Sequence, residues 1–262
     1  MERKLQILFG RKREWEAALG CELSGFQGEI HFGNFDTVDL ESFDLIVPLG
    51  FNDYEVLWRS DASKTMKCLY PSKDAVDFCN DKRRLNRAVR ETTLRDLIPP
   101  MFEADAPSSF PYIVKKNSDC FGLNSAIIRS TGDAKLNEDK LLSDAYFFQE
   151  CVAGCNEYAS HFLMKDRSVI YSTTVTYTMA QDLYVKGHAC QQIETLISPG
   201  SCFDDEFAKI LEIAGFTDGT CCFDYKVIDG KPKIFEVNPR FGGSLVYDIK
   251  RYLTSYAKAV GS

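Results

Sequence analysis

The sequence predicts a mixed fold in which an α/β lobe precedes α+β units, and three patterns carry this prediction. Near the start of the chain, short apolar runs flank a helical pattern, as in βαβ units with buried parallel strands. Beyond about residue 156, apolar and polar residues alternate as they do in antiparallel strands. Two further strand-like runs meet across Asp229-Gly230, a pair typical of a tight hairpin turn.

The first unit is predicted to be a small α/β lobe of residues 1–80. Apolar strands are expected at residues 5–9 and 43–49, and a helix is expected around residues 15–19. The short apolar strands bear few polar residues, which favours burial in a parallel sheet.

The second unit is predicted to be a compact α+β unit of residues 81–155. A basic helix at residues 81–93 opens it, and the pair Pro99-Pro100 marks a turn-rich connection to the strands. Its remaining elements are expected at residues 111–116, 125–129 and 146–152 as strands and at residues 134–143 as a helix.

The third unit is predicted to be an antiparallel sheet with helices in residues 156–262. A helix is expected at residues 203–216, because apolar side chains recur there at helical spacing, and a closing helix is expected to begin near Ser244. Its strands are expected at residues 161–164, 169–175, 219–227 and 233–238, the last two forming the hairpin.

Charge and composition exclude several classes of function. The chain has 262 residues and a formal net charge of -7, and it shows no basic stripe, which argues against a nucleic-acid partner. The longest apolar run falls well short of the roughly 18 to 20 residues of a membrane span. We therefore expect a soluble protein that binds neither nucleic acid nor membrane.

The cysteines favour a reducing compartment. Ten cysteines occur without a regular framework and without an apolar leader after Met1, so we expect them to be reduced and the protein to be cytoplasmic. Cys151, Cys155, Cys221 and Cys222 do not form paired zinc motifs and are interpreted as small core residues. A zinc or redox protein built on them would need such paired motifs.

Polar side chains on the predicted hairpin indicate a metal site. Asp224 and Glu236 are twelve positions apart and lie on opposite strands, so both carboxylates can face one side of the sheet, and Asn238 shares the face of Glu236. Two carboxylates and an amide suit Mg²⁺, which takes its other ligands from phosphates and water. Arg240 follows, where its planar guanidinium could hold a phosphoryl oxygen.

Residues 236–244 read Glu-Val-Asn-Pro-Arg-Phe-Gly-Gly-Ser, which resembles the signature of the ATP-grasp superfamily. The resemblance implies a short amino-terminal α/β lobe and two α+β subdomains that sandwich ATP, the second of them carrying the metal site. It also implies two lysines at the phosphates of the nucleotide. Lys82, which opens a helix, and Lys115, in the run Tyr-Ile-Val-Lys, match these positions.

A second stretch, residues 148–157, resembles the hinge strand of the same superfamily. By this resemblance Glu150 accepts from the adenine amino group, Val152 offers its backbone to the base, and Glu157 binds the ribose hydroxyls. The loop at residues 117–125 departs from the family pattern, because Gly122 is its only glycine where the family has a glycine-rich phosphate loop.

Three further residues are candidate contacts to substrate or phosphate. His161 shares the predicted strand face of Glu157, although a neutral core histidine is the competing interpretation. Lys186 lies with His188 in a polar stretch that solvent exposure explains equally well, and Ser244 ends the signature.

The resemblance implies an ATP-dependent carboxylate-amine ligase. In such an enzyme, ATP converts a carboxylate into an acyl phosphate, which an amine then attacks. Arg240 and Mg²⁺ would stabilise the phosphoryl group during its transfer, and Mn²⁺ is an alternative metal. The acceptor would be an amino acid, small peptide or amino sugar, and a homodimer is the expected assembly if the chain associates. Two alternatives remain open: a small-molecule phosphotransferase, and a nucleotide-binding regulatory protein without turnover.

Overall fold

A computed structural model describes residues 4–61, 67–102, 107, 109–119, 122–186 and 190–261. The strands are β1 Leu5–Gly10, β2 Gly28–Gly33, β3 Leu45–Val47, β4 Met101–Phe102, β5 Tyr112–Lys116, β6 Ala126–Ile128, β7 Tyr146–Glu150, β8 Asn156–Lys165, β9 Ser168–Met179, β10 Gln192–Pro199, β11 Gly219–Ile228 and β12 Lys231–Asn238. The α-helices are α1 Arg13–Glu22, α2 Phe51–Leu57, α3 Lys73–Asn80, α4 Lys82–Arg90, α5 Thr131–Leu136, α6 Glu138–Leu141, α7 Asp204–Ile213 and α8 Ile249–Val260. Together they form the predicted combination of α/β and α+β architecture.

The amino-terminal lobe is built on a parallel sheet of order β2-β1-β3. The expected strands at its centre are present, although β3 is shorter than predicted. The sequence analysis missed β2, because this six-residue strand begins and ends with glycine, which is uncommon in strands, and is only partly buried. Strand β1 lies in the middle of the sheet, and its last four residues are fully buried.

The second sheet has the order β4-β7-β5-β6 and is antiparallel. The single helix predicted for residues 134–143 is wrong, because two short helices, α5 and α6, occupy this stretch. The hydroxyl of Ser130 accepts from the backbone N–H of Asp133 and starts α5 early. Asn137, with φ -120° and ψ 22°, then interrupts the helical path.

The third sheet is an antiparallel sheet of order β10-β9-β8-β11-β12. Strands β8 and β9 extend well beyond the predicted segments and turn at Asp166 and Arg167, both with positive φ. Helix α7 packs on one face of this sheet through stacked rings, with the centroids of Phe207 and Phe223 at 4.4 Å. The exposed edge strand β10 was missed by the sequence analysis.

The closing segment fixes the amino-terminal lobe against the third sheet. Helical structure begins near Ser244, as predicted, with a 3-10 helix at Gly243–Asp248 that continues as α8 from Ile249. The buried hydroxyl of Tyr256 donates to the carbonyl of Ile46, 2.9 Å away in the lobe. Phe241 and Tyr252 extend the same core, and this packing brings the lobe beside the end of β12.

The cysteines correct one expectation. Cys221 and Cys222 are buried, as predicted, whereas Cys151 is half-buried and Cys155 is exposed at the turn before β8. Every cysteine in the described part of the chain is free of disulfide bonds. Within the same ranges, no helix is both long enough and apolar enough to cross a membrane.

Candidate active site

A cavity of about 350 Å³ lies between the second and third sheets, within the range of small-molecule sites. All the candidate residues named from the sequence line it: Lys82, Lys115, Glu150, Val152, Glu157, His161, Lys186, Asp224, Glu236, Asn238, Arg240 and Ser244. The fold thus collects, around one space, side chains that are up to 162 positions apart, from 82 to 244.

The two carboxylates of the hairpin lie directly opposite each other. Asp224 on β11 pairs with Glu236 on β12, and the register then shifts so that Phe235 is an extra, bulged residue. The side-chain amide nitrogen of Asn238 donates to Oδ2 of Asp224 at 2.9 Å and to Oε1 of Glu236 at 2.8 Å. Asn238 therefore holds the two carboxylates together.

The two carboxylates differ in their electrostatics. Burial, together with the nearby carboxylates of Glu236 and Glu157, raises the pKa of Asp224 to about 6 although the Lys186 ammonium opposes this. Burial also favours the protonated form of Glu236, but the ammonium of Lys82, 2.9 Å from Oε2, outweighs it and lowers the pKa of Glu236. The pair thus carries negative charge that neighbouring cations neutralise in part.

These donors fit Mg²⁺ or Mn²⁺, which prefer carboxylate and carbonyl oxygens. Asp224 and Glu236 supply convergent carboxylate oxygens, and Asn238 carries an amide oxygen as a third donor, although in this structure its amide nitrogen faces the two carboxylates. In the described part of the chain, no group of three or more His, Cys, Asp and Glu side chains could hold a metal ion. The donor set therefore suits an ion that takes further ligands from phosphate and water.

Two lysines stand at the same end of the cavity in different environments. Lys82 is the first residue of α4, and its ammonium pairs with Glu236 and with the buried carboxylate of Asp119. Lys115 on β5 donates to Oε1 of Gln149 at 2.8 Å. Burial and the nearby charge of Lys82 lower the pKa of Lys115 to about 8.

Asp119 brings a further carboxylate to Lys82. Oδ2 of Asp119 accepts from the backbone N–H of Asn124 at 3.2 Å, so the loop holds this side chain against Lys82. Gly122 has φ +63°, and a Cβ there would lie 3.1 Å from Val185. Cys120, Phe121 and His188 lie outside the described residues.

Lys186 contacts the other carboxylate of the hairpin pair, that of Asp224. Its ammonium is 3.1 Å from Oε1 of Glu157 and 3.5 Å from Oδ1 of Asp224, and it lies 4.0 Å from the ring centroid of Tyr177. Lys186 thus keeps 41% of its side chain exposed while it bridges the carboxylates predicted for ribose and metal.

The connection between β7 and β8 also lines the cavity. Glu150 ends β7 with its side chain exposed, Val152 follows in the connection, and Glu157 lies buried near the start of β8. Further side chains that line the cavity are largely apolar and were not identified from the sequence: Ile113, Ile127, Leu183, Tyr184, Val185 and Phe235. Lys226 was also missed, although it lies two residues beyond Asp224 on β11 and its strand spacing could have indicated it.

His161 is fully buried and neutral. Burial and the charge of Lys186 lower the pKa of His161 to about 3, and its Nε2 lies 2.8 Å from the Ser244 hydroxyl. A Cβ at position 242 would lie 2.5 Å from Cε1 of His161, so the close approach of the chain to this ring requires Gly242. The full burial of His161 agrees with the core-histidine interpretation. Its hydroxyl partner, Ser244, nevertheless lines the cavity.

Arg240 lines the cavity and also contacts the amino-terminal lobe. Its side chain is buried, and its guanidinium carbon lies 5.8 Å from the ring centroid of Phe51, at the start of α2. The backbone N–H of Arg240 donates to the carbonyl of Asn238 at 2.8 Å. Arg240 thus lines the cavity two residues beyond Asn238.

No protein-family model matches the chain, and no curated protein matches its sequence. Its structure is similar to that of phosphoribosylamine–glycine ligase from Thermotoga maritima, with 16% identity, a TM-score of 0.67 and coverage of 97% of this chain and 76% of that one. L-amino acid ligase from Bacillus licheniformis is similar over 99% of this chain and 75% of that one, with 12% identity and a TM-score of 0.65. D-alanine–D-alanine ligase from Bacillus anthracis is similar over 98% of this chain and 95% of that one, with 14% identity and a TM-score of 0.63. Over nearly its whole length, the chain has the ATP-grasp fold.

Proposed function

We propose that this protein is an ATP- and Mg²⁺-dependent carboxylate-amine ligase that forms an amide or peptide bond through an acyl phosphate and releases ADP and phosphate. The observation that carries the proposal is the pairing of Asp224 with Glu236 in a cavity that also presents Lys82, Lys115 and Arg240. Carboxylates for a metal and cations for phosphates in one cleft suit the handling of a nucleoside triphosphate.

The cavity offers one set of groups to the base and ribose of ATP and another set to its phosphates. Apolar walls near Val152 offer a slot for the base, Glu150 offers an acceptor to the adenine amino group, and buried Glu157 offers acceptors to the ribose hydroxyls. Lys82 and Lys115 offer ammonium groups to the phosphates. We propose that residues 81–155 and 156–262 are the two subdomains that enclose the nucleotide and that residues 1–80 form the lobe beside them.

The proposed chemistry has two steps. An oxygen of the acid's carboxylate attacks the γ-phosphorus, the bond to the β,γ-bridging oxygen breaks, and ADP leaves. The amine nitrogen then attacks the acyl carbon, the carbon–oxygen bond to phosphate breaks, and the amine loses a proton as the amide forms. Mg²⁺ held by Asp224, Glu236 and Asn238 would supply charge neutralisation at the phosphates. Arg240 would stabilise the negative charge on the transferred group.

The acid and the amine substrates would bind near Arg240. The guanidinium, the hydroxyl of Ser244 and its neutral partner His161 lie there, next to Phe51 of the amino-terminal lobe. These groups suit a carboxylate, for which guanidinium and hydroxyl groups are good donors. The similar structures include an L-amino acid ligase and a D-alanine–D-alanine ligase, which supports the choice of amino acids or small peptides as the first substrates to test.

A substrate screen tests the proposal. Purified protein with Mg-ATP is given a pool of carboxylic acids, a pool of amino acids and amines, or both, while ADP, phosphate and product masses are recorded together. The ligase proposal requires ADP and a product of the summed mass minus water only when both pools are present. A phosphorylated product from one pool alone would identify the phosphotransferase instead. ATP binding without ADP formation would favour the regulatory alternative.

A further inference from the structure

A buried lysine that the proposed chemistry does not use lies at the hinge end of the cavity. Lys226 lies on β11 with only 3% of its surface exposed. It is two residues beyond Asp224, so both side chains face the cavity from the same face of the sheet. Because a buried ammonium is costly unless its donors are satisfied, its partners indicate why it is there.

The ammonium of Lys226 joins two segments that are distant in sequence. It donates to the carbonyl of Val152 at 3.1 Å and to the carbonyl of Asp182 at 2.9 Å, and it lies 4.3 Å from the ring centroid of Tyr184. Two of the three donors of this ammonium are used by backbone carbonyl groups, and the ammonium also packs against an aromatic ring. Lys226 is therefore engaged mainly with protein groups.

Both joined segments line the base slot. Val152 belongs to the hinge connection between β7 and β8, and the stretch from Leu183 to Val185 forms the facing wall. The backbone N–H of Gly154 also donates to the carbonyl of Asp182, at 3.0 Å. The hinge and the facing wall are thus tied together by two hydrogen-bonded links, and only one of them is a side chain that substitution can remove.

We propose that Lys226 is a positioning residue for the nucleoside half of the ligand, which sets the spacing between the hinge and the Leu183–Val185 wall so that a planar base fits between them. This inference rests on the proposed function, because it takes the ligand to be ATP. Lys226 differs from Lys82 and Lys186, whose ammonium groups form ion pairs with the carboxylates of Glu236, Glu157 and Asp224. The contribution of Lys226 to ligand affinity should therefore depend on the presence of a base in the ligand.

Calorimetric titration with Mg-ATP and with Mg-tripolyphosphate, which has no base or ribose, separates the binding of the nucleoside from the binding of the phosphates. In Lys226→Met, whose side chain has a similar length and no donor, we expect ATP to bind about tenfold more weakly, in line with the loss of hydrogen bonds from a charged group. Tripolyphosphate should bind as it does to the unaltered protein, within about twofold. Lys226→Arg, which keeps the charge and several donors, should recover most of the ATP affinity.

Lys233→Met is the matched control. Lys233 lies on the adjacent strand β12 and donates to the carbonyl of Asp96 at 2.6 Å, but it does not line the cavity. Loss of this bond should leave the affinities for both ligands unchanged. Equal weakening of ATP and tripolyphosphate in Lys226→Met, or no weakening of either, would overturn the role assigned to Lys226.

A measurement on the unaltered protein covers the case in which Lys226→Met does not fold. Mg-ATP should slow hydrogen exchange of peptides covering residues 182–186 and 152–155, whereas Mg-tripolyphosphate should not, because only a base fills the slot between them. Equal protection by both ligands, or none by ATP, would overturn the inference. Failure of the unaltered protein to bind Mg-ATP at all would instead contradict the proposed function.

Discussion

Asp224 and Glu236 are cross-strand partners whose carboxylates are bridged by one amide nitrogen, that of Asn238. Cross-strand partners on one face of an antiparallel pair have Cβ atoms roughly 5 Å apart, close enough for both carboxylates to bind one ion. The proposed metal donors therefore lie on strands rather than on a loop, and the first prediction below depends on this arrangement.

Substitution of Glu236 should remove metal-dependent turnover without unfolding the protein. Glu236→Gln keeps the size of the side chain but removes the negative charge that faces Lys82, and Asn238→Ala removes the bridge between the carboxylates. We expect each to lower Mg²⁺-dependent ADP release by about a hundredfold or more, the effect of disturbing ligands and their supports.

Melting temperature and a titration of activity with Mg²⁺ check this result. Glu194→Gln serves as the matched control, because Glu194 is an exposed glutamate on the edge strand β10, away from the cavity. Near-normal activity of folded Glu236→Gln at ordinary Mg²⁺ concentrations would exclude Glu236 as a metal donor.

Substitution of Arg240 should affect turnover more than ATP affinity. If the guanidinium stabilises the group in transfer, Arg240→Ala should lower kcat by roughly a hundredfold and change the Kd for ATP only a few-fold. Steady-state rates and equilibrium titration of ATP measure the two separately, with Arg240→Lys retaining part of kcat. The opposite pattern, a large loss of affinity at unchanged kcat, would show that Arg240 holds ATP in the ground state.

The affinity for ATP should fall as pH rises past about 8, the pKa to which burial and Lys82 lower Lys115. Below this pH Lys115 is charged and attracts phosphate, and bound phosphate raises its pKa. Above this pH Lys115 is neutral, so Lys115 must take up a proton when ATP binds. The Kd for Mg-ATP should therefore rise roughly tenfold between pH 7 and pH 9. Lys115→Met should bind weakly and show a nearly flat profile over the same range. A steep profile in that variant would assign the titration to another group.

Replacement of Gly242 should destabilise the fold at the site. A Cβ in Gly242→Ala would lie 2.5 Å from Cε1 of the fully buried ring of His161, so the ring or the chain must move. We expect a loss of about 1–3 kcal/mol of unfolding free energy, as for overpacked cores. Chemical denaturation measures it, with Gly20→Ala as control, since Gly20 lies in α1 with no atom within 4 Å of its added Cβ. An unchanged stability of Gly242→Ala would show that the His161 ring is not fixed there.

The sequence predicted the parts of the fold that have strong local patterns. The fold class and the β11–β12 hairpin followed from apolar periodicity and from Asp229-Gly230, because strand period and turn chemistry are local properties. Strands β2 and β10 were missed because both carry weak apolar patterns and lie at sheet edges with much exposed surface.

The site was predictable where short motifs occur and not where distant segments meet. Leu183 and Tyr184 reach the cavity from an irregular stretch whose sequence gives no periodic signal, and they do so because Lys226 and Gly154 hold its backbone. Asp119 was likewise unforeseen, because only the folded loop shows its carboxylate against Lys82. Such contacts depend on tertiary packing, which local pattern does not encode.

The central claim, that the protein activates a carboxylate with ATP, is tested most directly by following oxygen. The acid pool is prepared with its carboxylate oxygens exchanged for ¹⁸O and supplied with Mg-ATP and the amine pool, and the released phosphate is analysed by mass spectrometry. The proposed mechanism predicts phosphate that carries one ¹⁸O atom, because the carboxylate oxygen that attacks the γ-phosphorus leaves with the phosphate. Phosphate released without the label would contradict carboxylate activation.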